Sequence, residues 1–244
     1  MTTGADYGID APGVVRNLAL AGAGATVAGV ILNALLSATA PLIGNILLGI
    51  GLLNGVSELG VATLMVWSSK AGKLRMREYV IGALNLKGDE QVLDVGCGRG
   101  LLLVGAAKYL KTGKAVGLDI WQEQDQSGNR PEAPLANAEA EGVRDRVEVK
   151  NGDMRLMPFD DSAFDAIVSN LAIHNVYDPA ERQKALAEIA RVLKPGGKIA
   201  IIDFQHTREY ADYWRKAGIP NAQVSGLSFQ MFPPVRVVTG TKSG

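Results

Sequence analysis

The segment Gln91-Val-Leu-Asp-Val-Gly-Cys-Gly-Arg-Gly100 constrains the fold more than any other stretch of the chain. Val92, Leu93 and Val95 form a short apolar run of the kind buried on both faces of a parallel sheet. Gly96, Gly98 and Gly100 allow a sharp backbone turn and leave no Cβ between the chain and a ligand. An apolar helix is expected from Leu101. A strand, a glycine turn and a helix in that order make an α/β unit, whose ligand crevice lies at the carboxyl end of the strand.

The spacing of the glycines narrows the ligand. A dinucleotide fingerprint reads G-x-G-x-x-G. Here the third glycine comes one residue early, which counts against a nicotinamide-dependent oxidoreductase. By itself the loop is also compatible with a plain tight turn, so the rest of the chain must decide.

Further strands follow at regular intervals. Lys114–Ile120 is expected as the second and carries Asp119, 19 residues after Gly100. An acidic side chain at that distance can accept hydrogen bonds from ribose hydroxyls, or it can simply cap a turn. Trp121–Pro134 is polar and rich in turn residues, and reads as a binding loop or a solvated insertion. Arg146–Lys150 and Ala166–Asn170 are expected as strands three and four. Pro179–Leu193 repeats apolar residues at helical spacing, and Lys198–Phe204 reads as strand five. Thr207–Ala217 is expected as a helix, and Ala222–Phe232 and Val235–Thr241 as the last two strands.

Three blocks together carry a resemblance: D-x-G-x-G-x-G from Asp94, G-D-M-x-x-x-P-F-D-D-S-x-F-D from Gly152, and R-V-L-K-P-G-G from Arg191. Over about residues 72–242 the chain resembles the class I S-adenosylmethionine (SAM)-dependent methyltransferases, in particular the small-molecule, methyltransferase type 11-like branch. The resemblance implies an α/β Rossmann-like fold. Its seven-stranded sheet would have the order 3-2-1-4-5-7-6, with strand 7 antiparallel and helices on both faces. It implies SAM as cofactor. Asp94, Gly96, Cys97, Gly98 and Gly100 would surround its amino-acid end and Asp119 its ribose, with Ile120 and Trp121 as further cofactor contacts. Gly152, Asp153 and Met154 would lie at the adenine, and Asn170 and Leu171 near the methyl group. DNA and protein-glutamine methyltransferases of this class carry N-P-P-Y or D-P-P-Y where this chain has Asn170-Leu-Ala-Ile, so those substrates lose support.

His174 follows closely and is a candidate general base, since imidazole exchanges protons near neutrality; a structural or pocket-lining histidine is the alternative. Asn175, Asp203 and His206 are candidates to line the acceptor pocket. Cys97 is the only cysteine and has no neighbouring His or Lys to activate it, so it reads as a small residue suited to the turn. One cysteine and two histidines leave little for a metal site, and no metal is expected. Zero net charge gives no sign of a nucleic-acid partner.

The amino-terminal third is different in kind. From Asn17 to Ser57 there is no charged residue. That run is too long for a single span of about 20 residues. Pro41 divides it into two helices, about Val14–Ser37 and Pro41–Trp67. Gly51 and Gly55, and Ala21, Ala25 and Gly29, recur at the four-residue spacing that lets helices approach closely in lipid. A transmembrane hairpin over about residues 14–67 is therefore expected, with residues 68–244 as the methyltransferase domain. Asn33, Asn45, Asn54 and Glu58 keep open a second reading, helices packed on the domain or on another copy of the chain. A homo-oligomer is left open. A cleaved signal peptide fits less well, because only Asp6, Asp10 and Arg16 precede the apolar run. Lys70, Lys73, Arg75 and Arg77 follow the second helix and place the domain on the cytoplasmic side of a membrane. Residues 1–16 are expected to be poorly ordered.

These readings converge on a membrane-anchored SAM-dependent methyltransferase acting on a small or lipid acceptor. A non-catalytic SAM-binding or scaffold protein is the competing function; Asp94, Asp119 and Asp153, all intact, weigh against it.

Overall fold

A computed structural model describes residues 4–122 and 128–244. Two long helices come first, α1 (Pro12–Leu36) and α2 (Pro41–Trp67), followed by a π-helical turn (Ser68–Gly72) and α3 (Lys73–Leu84). The alternating part contains β1 (Gln91–Val95), α4 (Leu101–Ala107), β2 (Lys114–Asp119), α5 (Glu132–Ala140), β3 (Val147–Asn151) and β4 (Phe164–Asn170). It closes with α6 (Pro179–Val192), β5 (Leu193–Asp203), α7 (Thr207–Lys216), β6 (Gln223–Val224) and β7 (Arg236–Thr241).

The seven strands form one sheet in the order β3-β2-β1-β4-β5-β7-β6. Strands β1 to β5 pair in parallel, and β7 is antiparallel to both β5 and β6. This is the expected architecture. Strand β1 sits between β2 and β4, with Val92 beside both Ala115 and Ala166. The chain changes direction of winding there, and the crevice beyond the carboxyl ends of β1 and β4 is where such sheets bind ligands.

Side-chain alternation explains how the sheet is covered. Val92 and Leu93 point to opposite faces. Val92 joins Met76, Val80, Ile81 and Leu102 on the side of α3 and α4, whereas Leu93 joins Leu186, Ile189, Tyr210 and Trp214 on the side of α6 and α7. The indole N–H of Trp214 donates to the Leu186 carbonyl at 3.0 Å and ties α7 to α6 without leaving a buried polar atom unmet.

Helices α1 and α2 form an antiparallel hairpin whose backbones meet at glycines. A Cβ on Gly51 would stand 2.5 Å from the Ala25 carbonyl oxygen, and one on Gly22 3.1 Å from the Gly55 oxygen. Asn33 donates to Asn45 across the hairpin at 2.9 Å, and Asn54 donates to the Ile50 carbonyl, so these amides satisfy one another or the backbone. Glu58 differs: its Oε2 is buried without a hydrogen-bond partner among the described residues. Both helices are long and apolar enough to cross a membrane by length and composition. Their outward side chains, such as Leu35, Leu53 and Val56, are exposed.

Two expectations are corrected. Residues 5–11 are not loose: Tyr7 is buried, and the backbone of Asp6 exchanges hydrogen bonds with the Asn137 side chain, which caps this segment onto α5. The expected strand Ala222–Phe232 shrinks to Gln223–Val224 plus one isolated pairing of Ser228 with Val235. Ser225 stops the ladder by turning its hydroxyl onto the Val237 N–H at 2.9 Å, and Pro233 and Pro234 have no N–H to continue it.

Candidate active site

A cavity of about 690 Å³ opens at the carboxyl ends of β1, β2 and β4. The glycine loop forms its floor. Gly96, Gly98 and Gly100 all have positive φ, and a Cβ on Gly96 would lie 2.3 Å from the Ala172 Cβ. Gly96, Cys97 and Gly98 line the cavity. Gly100 does not; it turns the chain into α4 where Pro134 leaves no room for a side chain. Cys97 is buried, and its sulfur packs where Gly117 of β2 has no side chain. Burial pushes its thiol well above the ordinary range, which makes it an unreactive packing residue at neutral pH.

Three aspartates stand at successive strand ends. Asp94 is fully enclosed; its carboxylate accepts the Leu103 N–H at 2.8 Å, yet burial, with the nearby Asp119 charge, pushes its carboxyl up to about 8. Asp119 accepts the Gly98 N–H at 2.8 Å, the Trp121 N–H at 2.7 Å and the Asn129 amide at 3.2 Å. These leave part of its acceptor capacity toward the cavity, which Asp119 lines. Asp153 lies in a bidentate contact with Arg155, whose Nε is 2.9 Å from Oδ1, and this ion pair holds its carboxyl below the usual range. Ile120, Gly152, Met154, Asn170, Leu171, His174 and Asn175 also line the cavity. The Oδ1 of Asn170 is buried with no hydrogen-bond partner among the described residues, a polar atom suited to a cationic or N–H-bearing ligand. Trp121 does not line it; only its backbone N–H takes part, through Asp119. Residues 123–127 of the expected binding loop lie outside the described residues, but Asn129, beyond them, is buried against Asp119.

The acceptor candidates separate. His174, on a short 3₁₀ turn (Ile173–Asn175), faces the cavity, packed edge-on against Phe204 with ring centroids 4.5 Å apart. Its Nδ1 stands 2.9 Å from Asp203 Oδ1, within ion-pair range though off the line of a ring N–H. Asp203 is fully buried at the end of β5 and is not among the residues that line this cavity. Its carboxylate accepts the N–H of His174 at 3.2 Å, the N–H of Phe204 at 2.8 Å and the Tyr210 hydroxyl at 3.2 Å. Asp203 is thus a support for His174 rather than a pocket residue. His206 also leaves the pocket: it starts α7 and lies 3.4 Å from Glu209, one helical turn on.

Residues that sequence reasoning missed complete the wall. Tyr7, Asp10 and Ala11 come from the amino-terminal segment, Met65 from α2, Lys73 from α3, and Phe232 and Pro233 from the loop before β7. Lys73 is buried, and its ammonium donates to the Tyr7 and Gly8 carbonyls at 2.8 and 3.0 Å and to Asp10 at 3.1 Å. All three of its donors hold the amino-terminal segment in place. The Tyr7 hydroxyl donates to Glu141, which also accepts from Arg77 and Lys108; although burial opposes it, these bonds bring the Glu141 carboxyl down to about 2. Arg99, inside the glycine loop, binds the Asp6 carbonyl and carboxylate at 2.8 and 2.9 Å. A buried Lys after an apolar helix was the available signal, but its partners lie more than 60 positions away.

Comparison with known proteins agrees with this geometry. Residues 93–201 match the family model of the methyltransferase domain. The chain is similar to the chloroplastic 2-phytyl-1,4-beta-naphthoquinone methyltransferase of Arabidopsis thaliana, 37% identical over 124 residues covering 50% of this chain and 44% of the plant protein. It is also similar to the demethylmenaquinone methyltransferase of Symbiobacterium thermophilum, 35% identical over 128 residues covering 52% and 47% of the two chains. The chain spans about half the length of the curated relatives it matches. A SAM-dependent methyltransferase structure from Aquifex aeolicus shares the fold, with a TM-score of 0.51 at 24% identity over 70% of this chain and 91% of that one. The sheet order, the strand-end motifs and the matched residues 93–201 agree on a methyltransferase domain built on a class I, Rossmann-like fold.

Proposed function

We propose that this protein transfers a methyl group from SAM to a small lipophilic acceptor, and that residues 12–67 hold it at the cytoplasmic face of a membrane. One observation carries the reading: one cavity is lined both by the glycine loop, Asp119 and Asn170 and by Met65, Phe204, Phe232 and Pro233. The polar end suits the cofactor and the apolar end an acceptor with a hydrocarbon body.

The residues present fit SAM. The glycine loop has no Cβ to fill the floor, Asp119 keeps acceptor capacity for ribose hydroxyls, and the unpartnered Asn170 Oδ1 can take an ammonium N–H. Asp153, fixed by Arg155, and Met154 would border the adenine, with Ile120 and Gly152 beside them. Bound SAM supplies an electrophilic methyl on a good sulfonium leaving group. The work left to the protein is to hold two molecules in line, worth up to about 7–11 kcal/mol in favourable cases. His174 would take the acceptor proton, with Asp203 stabilising the imidazolium from the buried side. Asn175 borders the same space.

Names among the relatives support a quinone-like acceptor with an apolar chain: one is named a 2-phytyl-1,4-beta-naphthoquinone methyltransferase and another a demethylmenaquinone methyltransferase. The hairpin's exposed apolar faces support the anchor, and the exposed Lys70 and Arg75 at its foot support the cytoplasmic side. Lys73 and Arg77 are instead committed inside the domain.

The test is titration calorimetry with SAM on the wild type and on Asp119→Ala. Loss of a hydrogen-bonding carboxylate should weaken binding about 10- to 100-fold. No binding by folded wild-type protein would overturn the reading. Tight binding with no methyl transfer to any acceptor class would favour the non-catalytic alternative. Release of the full chain from membranes by alkaline carbonate would remove the anchor.

A further inference from the structure

Both strands of the hairpin leave the domain at the rim of the cavity. Helix α2 runs through the π turn into α3 as one rod, Pro41–Leu84. Met65 and Lys73 lie eight residues apart on it, about 12 Å of helical rise, and both line the cavity. Helix α1 begins at Pro12, directly after Ala11, which lines it too.

The third side is the loop before β7, fastened to the root of the same rod. The Phe232 N–H donates to Ser68 Oγ at 2.9 Å, and Ser228 Oγ lies 3.4 Å from Met76 Sδ. The Gln230 carbonyl oxygen sits 1.9 Å from where a Cβ on Gly72 would be, so only glycine admits this contact. Two apolar side chains of that loop remain uncovered, Leu227 at 51% and Phe229 at 73% exposure. Leu64 and Trp67, exposed on the rod, come just before Ser68, the residue to which this loop is fastened. Uncovered apolar side chains grouped at the foot of a membrane hairpin match a lipid surface better than water. The cavity wall is of the opposite character near Arg155, which pairs with Glu181 at 3.2 Å, and near Asp178.

We propose that the acceptor enters the cavity from the bilayer, through a gate framed by Ala11, Met65 and Phe232, while Leu227 and Phe229 rest in the lipid interface beside it. This rests on the methyltransferase and membrane readings above. A long-chain acceptor then keeps its tail in lipid while its ring reaches His174, and the water-soluble cofactor uses the polar side.

The probe is a 4-alkylphenol carrying a diazirine in the middle of a long chain. It is added to the full-length protein in vesicles of phosphatidylcholine and phosphatidylglycerol. After illumination, adducts are expected on residues 10–12, 63–67 and 229–233, displaced by unlabelled long-chain alkylphenol and not by phenol. Met65→Trp should cut this labelling about tenfold by filling the gate and Met65→Ala should not, and SAM titration of both variants reads whether the cofactor site is still filled. Phe229→Trp, in a chain with Trp67→Phe, should gain fluorescence that brominated lipids quench. Adducts confined to the Arg155–Glu181 side or to the outer hairpin faces, with SAM binding intact, would overturn the gate, and an unquenched indole at 229 would overturn the seating of the loop. Absence of SAM binding in the wild type would instead strike the underlying reading, and that measurement is separate.

Discussion

The two ends of the cavity are built in different ways. The cofactor end is made of strand ends: Asp94, Asp119, Gly152 and Asn170 each follow or close a strand of one sheet, and adjacent strands bring them together. The proposed acceptor end is made of pieces with no such frame. Residues 7–11, Met65 with Lys73, and residues 232–233 come from three separate segments, the last more than 150 positions beyond the others, joined by Lys73, by Ser68 and by the Tyr7–Glu141–Arg77 cluster. The difference teaches that a sheet delivers its ligand residues by register alone, whereas a specificity wall depends on individual polar clamps. Each clamp is a place where the acceptor end can be altered while the cofactor end stays intact.

Five substitutions test that separation. His174→Ala carries the largest expected effect: turnover should fall about 10²- to 10⁴-fold if the acceptor must lose a proton. SAM affinity, read by calorimetry, should stay constant; an equal loss of both would assign His174 to the cofactor end. Asp203→Asn should give a smaller loss and move the acidic limb of the pH–rate profile, the sign of a group acting through His174.

Asp94→Asn addresses the cofactor end through pH. An unfolded aspartate titrates near 3.8, whereas burial pushes the folded Asp94 carboxyl up to about 8. Between those values the folded protein keeps a proton that the unfolded chain releases. The contribution of this group to stability is therefore complete below about pH 4, declines as pH rises, and is gone above about pH 8. Melting temperature followed across that window should slope downward more steeply in the wild type than in Asp94→Asn. Parallel curves would show that the carboxylate is already charged.

Gly96→Ala should damage the cofactor end by geometry. Its φ is +69°, and the new Cβ would sit 2.3 Å from that of Ala172. Strain of this kind costs about 1–3 kcal/mol. A lower melting temperature with weakened SAM binding is expected, and a variant as stable as wild type would mean that the loop can relax. The smallest effect is expected at the other end. Tyr7→Phe removes the hydrogen bond donated to the Glu141 carboxylate and the one accepted from Arg77, and should cost about 1.5 kcal/mol. Arg77 and Lys108 continue to hold Glu141. KM for the acceptor should rise while SAM affinity holds; a fall in SAM affinity would show that the amino-terminal segment serves both ends.

Much of the fold was legible because it rests on local periodicity. Apolar runs ending in Asp94, Asp119 and Asn170 mark parallel strands, and Pro41 sets the start of α2 where it was expected. Legibility failed where a residue's role depends on a distant partner. Asp203 reads as a pocket residue by its place at a strand end, yet α7 closes over it and Tyr210 turns it into a buried support for His174. His206, three positions on, turns away into the start of α7. The polar residues 5–10 look disordered by composition, but a buried ammonium and the side chain of Asn137 satisfy their backbone groups.

The sequence by itself determined the sheet, the strand-end aspartates, the glycine loop and the two apolar helices. Each follows from spacing within one segment, and backbone geometry converts spacing into position. Only the tertiary structure decided that the hairpin and the domain share a cavity wall. That outcome depends on where Lys73 finds its three acceptors and how the Phe232 loop meets Ser68, contacts between segments whose separation in the chain carries no periodic signal.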